Sequence, residues 1–257
     1  MNAHPQPEDG PDVAYHGDYP DFAAARADST GYEDGVILER TRVALHKVLR
    51  GEAAYERDSV TFEKLELPYP LLALLLRVAA ENLGRLSVLD FGGSLGSTYF
   101  LCRRFLGGLP HVEWSIVEQP AHVALGQREF ANQTLRFYPT IQDCRKERSP
   151  KVLLLSGVLQ CLPEPWAFLK EAASEGFDWI IFDRTPFIEG AKDRLTIERV
   201  APRIYPASYP AWFFSRDRLA DNLPTGWEIV AEFDALDRQL LDGVELTFKG
   251  LALRRTS

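Results

Sequence analysis

Short apolar segments alternate with helical patterns through the middle of this 257-residue chain. RLSVLDF, residues 85–91, comes first, and VEWSIVE, TLRFY, KVLLLS and DWIIFD follow with amphipathic stretches between them. Runs such as VLLL and WIIF lack a regular polar face, so we expect strands that are buried on both sides. Strands that alternate with helices form parallel sheets covered by helices. The sequence therefore predicts an α/β protein with a Rossmann-like sheet.

The charge balance argues against a protein that binds nucleic acid through its phosphates. Lys and Arg total 29 against 37 Asp and Glu, which gives a net charge of −8 and a pI near 5.2. A phosphate-binding surface needs clustered basic residues, and none stands out. We therefore expect no nucleic-acid partner.

No segment predicts export, membrane insertion or metal binding. The longest apolar run, Leu71 to Leu76, is far too short to cross a membrane. The start of the chain lacks the apolar core of a signal peptide. The cysteines are scattered, and the histidines lack the spacing of metal ligands. We expect a cytoplasmic protein with reduced thiols, no membrane span and no metal.

The first third of the chain is predicted to be an appendage to the sheet. Residues 1–14 are rich in Pro, Gly and Asp, which predicts a flexible tail. Residues 15–84 combine Tyr and Phe rings with helical patterns over 36–50 and 70–83. We expect an N-terminal arm and a helical cap there.

The remainder, residues 85–257, is predicted to be the ligand-binding domain. Within it, residues 184–212 carry four prolines and little periodicity, which predicts a functional loop over the substrate. A helix is expected near 216–222. The last two apolar runs, GWEIVAEF and VELTFKGLALRR, predict an antiparallel pair.

VLDFGGSLGS, residues 88–97, carries the strongest ligand signal. Gly92, Gly93 and Gly96 allow close approach to the backbone, and the loop leads into a helix start with unpaired N–H groups. Ser94 stands where a dinucleotide fingerprint needs glycine. Asp90 suits a cation better than a pyrophosphate, which favours the amino group of S-adenosyl-L-methionine (SAM). Another nucleotide, or a tight structural turn, remains an alternative.

Other strand ends supply further candidate contacts with the cofactor. Glu118 follows the second strand, where an acid can accept hydrogen bonds from ribose hydroxyls, and Gln119 adjoins it. Ser156 and Gln160 follow the fourth strand and would face the cofactor from the opposite wall. A strand-end acid exposed to solvent is the alternative for Glu118.

Asp183 and Arg184 end the fifth strand and are the candidate catalytic residues. A buried carboxylate at Asp183 could act as general base on a hydroxyl. Arg184 could instead pair with Asp183 or clamp an anionic substrate group. Tyr209, and less strongly Tyr55, are further candidate bases. Nearby Tyr and Trp rings suit a sugar or another cyclic acceptor, or they pack the loop against the core.

The sequence resembles a family of class I SAM-dependent methyltransferases over nearly all of the chain after about residue 15. The resemblance rests on AYERDSVTF, VLDFGGSLGSTYF, IVEQP, LLLSGVLQCLP, IIFDRTPF and IYPASYPAWFF, in that order. Members are often encoded beside genes for bacterial surface polysaccharides or other sugar modification. Two positions depart from the usual pattern, since Ser94 replaces a glycine and Cys161 an aromatic residue.

The resemblance implies a seven-stranded, mostly parallel sheet with an antiparallel last strand, SAM as cofactor, and methyl transfer. We expect O-methylation of a sugar or other small hydroxylated acceptor, which the resemblance does not identify, and a role in polysaccharide biosynthesis. We also allow for a homodimer. A non-catalytic scaffold that binds SAM or a nucleotide is the main alternative. A nicotinamide-dependent oxidoreductase is disfavoured because YPASY at 205–209 lacks the lysine of a Tyr-x-x-x-Lys pair.

Overall fold

A computed structural model describes residues 13–31, 34–201, 204 and 207–256. Most of the predicted tail at 1–14 lies outside these residues, but Val13 and Ala14 begin the first strand. The helices are α1 (Phe22–Ala27), α2 (Asp34–Arg50), α3 (Tyr69–Glu81), α4 (Ser97–Leu106), α5 (Pro120–Glu129), α6 (Ile141–Glu147), α7 (Pro165–Ser174) and α8 (Arg216–Asn222). The strands are β1 (Val13–Tyr19), β2 (Tyr55–Arg57), β3 (Val60–Phe62), β4 (Arg85–Phe91), β5 (His111–Val117), β6 (Leu135–Tyr138), β7 (Val152–Ser156), β8 (Trp179–Thr185), β9 (Phe187–Ile188), β10 (Arg194–Val200), β11 (Ser208–Ser215), β12 (Trp227–Leu241) and β13 (Val244–Arg255).

One sheet organises the molecule, in the order β6-β5-β4-β7-β8-β13-β12-β1-β10-β11-β9. Strands β6, β5, β4, β7 and β8 are parallel, and β13 is antiparallel to β8. Because β12 is antiparallel to β13, it runs in the same direction as β8. The seven neighbours from β6 to β12 thus confirm a mostly parallel sheet with an antiparallel last strand.

The predicted strand number is wrong, because the sheet has 11 strands rather than seven. The reason lies in the length of the last pair, since β12 has 15 residues and β13 has 12. The far end of β12 projects beyond β8, where Leu240 and Leu241 pair with Ala14 and Tyr15 of β1. Strands β10 and β11 then extend the sheet in antiparallel fashion.

The predicted loop at 184–212 contains β9, β10 and most of β11. In RLTIERV of β10, Leu195, Thr196 and Ile197 are buried, so pairing and burial give this segment a strand structure despite its weak periodicity. Pro210 within β11 is tolerated because β9 pairs only with Phe214 and Ser215 of that strand and Gly31 only with Ser208, which leaves an edge at Pro210.

The N-terminal region mixes helices with strands. The helices expected at 36–50 and 70–83 are confirmed as α2 and α3. However, β1 belongs to the central sheet, and β2 and β3 form a separate hairpin. A helical cap over 15–84 is therefore not confirmed, and the sheet crosses the predicted boundary at residue 84.

Helices cover both faces of the parallel part of the sheet, and loops lie at the ends of its strands. One face buries Leu86, Val88 and Trp114 against α3 and α4, and the other buries Leu153 and Leu155 beside α6 and α7. The order in which strands are added to the sheet reverses between β4 and β7, because β5 and β6 lie to one side and β7 and β8 to the other. Ligands of open α/β sheets bind at the carboxyl ends of the strands at such a point.

In the part of the chain that the structure describes, none of the helices combines the length and apolar character needed to span a membrane.

Candidate functional site at the carboxyl ends of the parallel strands

The loop between β4 and α4 fits tightly against its surroundings. Gly92, Ser94 and Gly96 have φ values of 70°, 52° and 97°, a region that favours glycine. A Cβ on Gly92 would lie 2.3 Å from Val158 Cγ2, and one on Gly93 would lie 2.6 Å from Asp90 Cγ. Only glycine therefore fits at positions 92 and 93. Ser94 adopts the left-handed backbone conformation although it is not a glycine.

Asp90 lies beneath this loop and has no exposed surface. The indole Nε1–H of Trp114 donates to its Oδ2 at 3.0 Å, whereas Oδ1 is buried with no partner among the described residues. Burial raises the pKa of Asp90 to about 7, and the Trp114 bond offsets only part of this effect. The carboxyl group supports the loop from below, and a cation bound above Gly93 would favour its charged form.

Glu118 connects the end of β5 to the loop between β4 and α4, residues 92–96, which we call the glycine loop. Its Oε1 accepts from the backbone N–H of Ser94 at 3.3 Å, and its Oε2 accepts from that of Gln119 at 2.7 Å. The residue is half-buried, and Gln119 is exposed. Each oxygen keeps a free lone pair for a hydroxyl donor, so the chemistry of Glu118 is compatible with the predicted ribose contact.

Asp183 and Ser156 meet on neighbouring strands at the opposite wall. They pair in register between β7 and β8, and the Ser156 hydroxyl donates to Asp183 Oδ2 at 2.9 Å. Burial raises the pKa of Asp183, and Arg184 and Ser156 offset part of the shift. Gln160 Nε2 donates to the carbonyl of Arg184 at 3.2 Å, while its Oε1 is buried without a partner among the described residues.

Arg184 does not pair with the carboxylate of Asp183. Its backbone is left-handed, with φ 53°, and its Nε donates to Asp237 Oδ2 at 2.8 Å. A terminal nitrogen of the guanidinium also bonds to Asp58. Burial alone would lower the pKa of Arg184, but Asp237 and Asp58 raise it well above its ordinary value. Two carboxylates already occupy the guanidinium, which disfavours the predicted role as an anion clamp.

Tyr209 lies in a buried cluster on the added strands, which are the four beyond β12: β1, β10, β11 and β9. Its hydroxyl donates to Glu198 Oε1 at 2.8 Å, and Tyr15 faces the same carboxylate across β1 and β10. Burial raises the pKa of Glu198 to about 7, against the opposing effect of the two phenols. β11 also rests on the turn after β7, where Trp212 Nε1–H donates to the Leu162 carbonyl at 3.2 Å. Glu198 also interacts electrostatically with Cys161 after β7 and with Arg184 at the end of β8, so the cluster lies near the carboxyl ends of these two strands.

Three acids of this site were missed from the sequence: Glu56, Glu198 and Asp237. Asp237 is 53 residues from its partner Arg184, and no local pattern links them. Glu198 lies in β10, a segment that the sequence predicts to be a loop. Glu56 follows Tyr55 in YERD, where the sequence points to Tyr55 alone. Tyr55 itself is 2% exposed and stacks on Phe62 with ring centroids 4.5 Å apart, which indicates packing.

Comparisons with known proteins give likeness of structure but not of sequence. No family model matches the chain, and no curated protein gives a significant match. The 1,6-didemethyltoxoflavin-N1-methyltransferase of Burkholderia thailandensis, with S-adenosylhomocysteine bound, aligns over 89% of this chain and 92% of its own, with 16% identity and a TM-score of 0.45.

Two other solved structures show a similar level of likeness. Magnesium protoporphyrin IX methyltransferase of Synechocystis PCC 6803, with SAM bound, covers 73% of this chain and 77% of its own, at 18% identity and a TM-score of 0.46. The amino pentose methyltransferase CalS10 of Micromonospora echinaspora, also with SAM bound, covers 73% and 91%, at 15% identity and a TM-score of 0.46. All three solved structures hold SAM or S-adenosylhomocysteine.

Proposed function

We propose that this protein binds SAM at the glycine loop and transfers its methyl group to a hydroxyl of a small acceptor. The observation that carries the proposal is the loop at the β4–β7 boundary, with Asp90 buried beneath it and Glu118 bonded to its Ser94 N–H. Acids below and beside a glycine loop suit a ligand with a cationic amino acid and a ribose, and they oppose a pyrophosphate.

The residues present fit such a cofactor. Asp90 Oδ1 is a buried oxygen without a partner among the described residues, so the loop covers uncompensated negative potential. Gly92, Gly93, Ser94 and Gly96 would line the amino-acid end, and Glu118 with Gln119 the ribose. Ser156 and Gln160 would form the facing wall. When bound, SAM supplies a methyl group on a positively charged sulfur.

The chain's own contribution to methyl transfer is to position the acceptor and remove a proton. Catalysis of this kind comes largely from holding the reacting atoms in line. We assign the base to Asp183, because its carboxyl group accepts from Ser156, its pKa is raised, and the guanidinium of Arg184 is bound to Asp58 and Asp237 instead. Arg184 then holds the neighbouring acids in place, and Tyr209 lies on the acceptor side.

The acceptor is proposed to be a sugar or another small hydroxylated compound. Trp212 of β11 is half-buried and bonds to the turn after β7, and Tyr209 lies three residues earlier on the same strand. Aromatic rings of this kind pack well on cyclic acceptors. A role in polysaccharide modification follows from the family resemblance alone. The cytoplasmic location and the homodimer stay predictions.

Titration calorimetry with SAM, S-adenosylhomocysteine and NAD tests the cofactor assignment. We expect one site for each of the two sulfur nucleosides and no heat from NAD. Binding of NAD without SAM would instead support the oxidoreductase. Glu118→Ala should weaken SAM binding by about 1–3 kcal/mol, the loss expected for a charged hydrogen bond.

Turnover separates the enzyme from the scaffold. Release of S-adenosylhomocysteine should be measured with a panel of hydroxylated sugars and nucleotide sugars. Asp183→Asn should keep SAM affinity and lose at least 100-fold in rate, the usual contribution of a general base. A protein that binds SAM but methylates no member of the panel would favour the scaffold.

A further inference from the structure

The hairpin β2–β3, residues 55–62, makes a buried contact with the start of α4. Glu56 is 3% exposed, and one of its oxygens accepts from the hydroxyl of Ser97, the first residue of α4. Its other oxygen accepts from the backbone N–H of Ser59 at 2.8 Å. Asp58 and Ser59 form the tight turn of the hairpin, with φ values of 51° and 68°. Glu56 thus joins the hairpin to the residue that follows the glycine loop.

The tip of the same hairpin is tied to the other wall of the site. Asp58 forms an ion pair with Arg184 at the end of β8, and Arg57 lies 3.8 Å from Asp237 of β12. In the sheet, β4 and β8 are separated only by β7, which corresponds to roughly 10 Å. The hairpin therefore reaches from the glycine loop to Arg184, across the carboxyl ends of the strands where the cofactor is proposed to lie.

The two attachments differ in burial. The carboxyl group of Glu56 is enclosed, whereas the side chain of Asp58 is 61% exposed. Gly96, which precedes α4, gives the helix no side-chain cap, and the hydroxyl of Ser97 in the first turn is instead held by Glu56. An exposed ion pair is held weakly. The Asp58 ion pair and the long 3.8 Å contact of Arg57 with Asp237 should therefore open first, while the enclosed Glu56 keeps the hairpin anchored.

We propose that the β2–β3 hairpin is a cover of the cofactor site, in which Glu56 is a positioning residue for the glycine loop and the Asp58–Arg184 ion pair must break for the cofactor to leave. This inference rests on the proposed binding of SAM. The motif YERD, residues 55–58, is part of the family resemblance, which implies no role for it. The proposal assigns it a role in cofactor exchange.

Stopped-flow binding of S-adenosylhomocysteine to the full chain tests the cover. Asp58→Asn removes the charge of the outer attachment and should raise the dissociation rate at least fivefold. Asp242→Asn is the matched control, because it breaks another partly exposed ion pair, with Arg194, on the added strands. The control should dissociate at the wild-type rate.

Glu56 is tested by a conservative and a truncating change. Glu56→Ala should raise the Kd for S-adenosylhomocysteine at least tenfold. Glu56→Gln can still accept from Ser59 and bond to Ser97, and it should restore the affinity to within threefold of wild type. Rescue by glutamine separates the hydrogen bond at Ser97 from a general effect of charge, and thermal melting shows whether each variant is folded.

The outcomes are distinct. If the wild type binds S-adenosylhomocysteine and Asp58→Asn dissociates no faster than it, the cover is refuted. If folded Glu56→Ala binds with wild-type affinity, or Glu56→Gln binds as poorly as Glu56→Ala, the positioning role is refuted. If the wild type does not bind the compound at all, the proposed function itself fails, and this inference fails with it.

Discussion

Gly93 lies directly on the carboxyl group of Asp90, so that a Cβ on Gly93 would be 2.6 Å from Asp90 Cγ and 2.7 Å from Oδ2. The glycine loop is therefore packed directly against the carboxyl group of Asp90. A change in either one should be felt by the other, and both should affect whatever binds above the loop.

Gly93→Ala should weaken SAM binding and lower stability. The added methyl group must displace the loop or Asp90, and such overpacking usually costs about 1–3 kcal/mol. Urea unfolding measures the stability, and calorimetry measures the SAM affinity. Gly108→Ala is the control, because a Cβ there meets no atom within 4 Å. Equal behaviour of the two variants would show that the loop is not tightly packed on Asp90.

Replacing Asp90 should change how stability depends on pH. The pKa of Asp90 is raised to about 7 in the folded protein, so between about pH 4 and 7 the folded state binds more protons than the unfolded state. The contribution of Asp90 to stability therefore falls as pH rises through this window. The side chain of Asp90→Asn cannot ionise. The free energy of unfolding of this variant should therefore rise relative to that of the wild type by up to about 4 kcal/mol between pH 4 and pH 8.

The comparison of unfolding free energies at low and high pH isolates Asp90. Glu56 and Glu198 also have pKa values raised to about 7, but both are present in the wild type and in Asp90→Asn. Their effects cancel in the difference between the two proteins. A difference that is the same at pH 5 and pH 8 would mean that the Asp90 carboxyl group titrates normally.

Arg184 and Asp237 should be strongly coupled. Asp237 is 5% exposed; burial would raise its pKa, but Arg184 and Arg57 lower it overall. Removing Asp237 leaves Arg184 with Asp58 alone, and removing Arg184 leaves Asp237 with the more distant Arg57. Each single change should therefore cost less than the loss of about 3–5 kcal/mol for a wholly unpaired buried charge. A double-mutant cycle with Arg184→Met and Asp237→Asn should give a coupling energy of about 1–3 kcal/mol. The exposed pair Arg50 and Glu52 should show none that is measurable.

Tyr209→Phe should destabilise the protein without affecting SAM affinity. The change removes a hydroxyl donor from the buried Glu198, at a cost of about 1–3 kcal/mol. Tyr209 lies on the added strands rather than at the glycine loop, so calorimetry should give the wild-type Kd for SAM. Tyr19→Phe, which removes an exposed hydroxyl bonded to Asp28, should leave the melting temperature unchanged. A loss of SAM affinity in Tyr209→Phe would place this residue in the cofactor site instead.

The parallel part of the sheet was predictable because its signals are local. β4, β7 and β8 are buried on both faces, and their apolar runs show it directly. The strand ends then place Asp90, Glu118, Ser156 and Asp183 on one edge, as the order of the motifs indicated. The glycines also predicted the tight loop, because a position without room for a Cβ or with a left-handed backbone favours glycine.

The added strands could not be predicted because their partners are distant in the chain. β1 pairs with β10 and with the far end of β12, across separations of 176 to 226 residues. Whether Tyr15 lies in an arm or in a sheet depends on those partners and not on its neighbours. The same holds for Arg184, since Asp183 is adjacent in sequence but Asp58 and Asp237 take the ion pairs.

A crystal structure with S-adenosylhomocysteine bound tests the central claim most directly. We expect the amino-acid end of the nucleoside at Gly92–Gly96, its ribose hydroxyls within hydrogen-bonding distance of Glu118, and its sulfur turned toward Asp183. A nucleoside bound elsewhere, or with its ribose away from Glu118, would contradict the assignment of this edge of the sheet as the cofactor site.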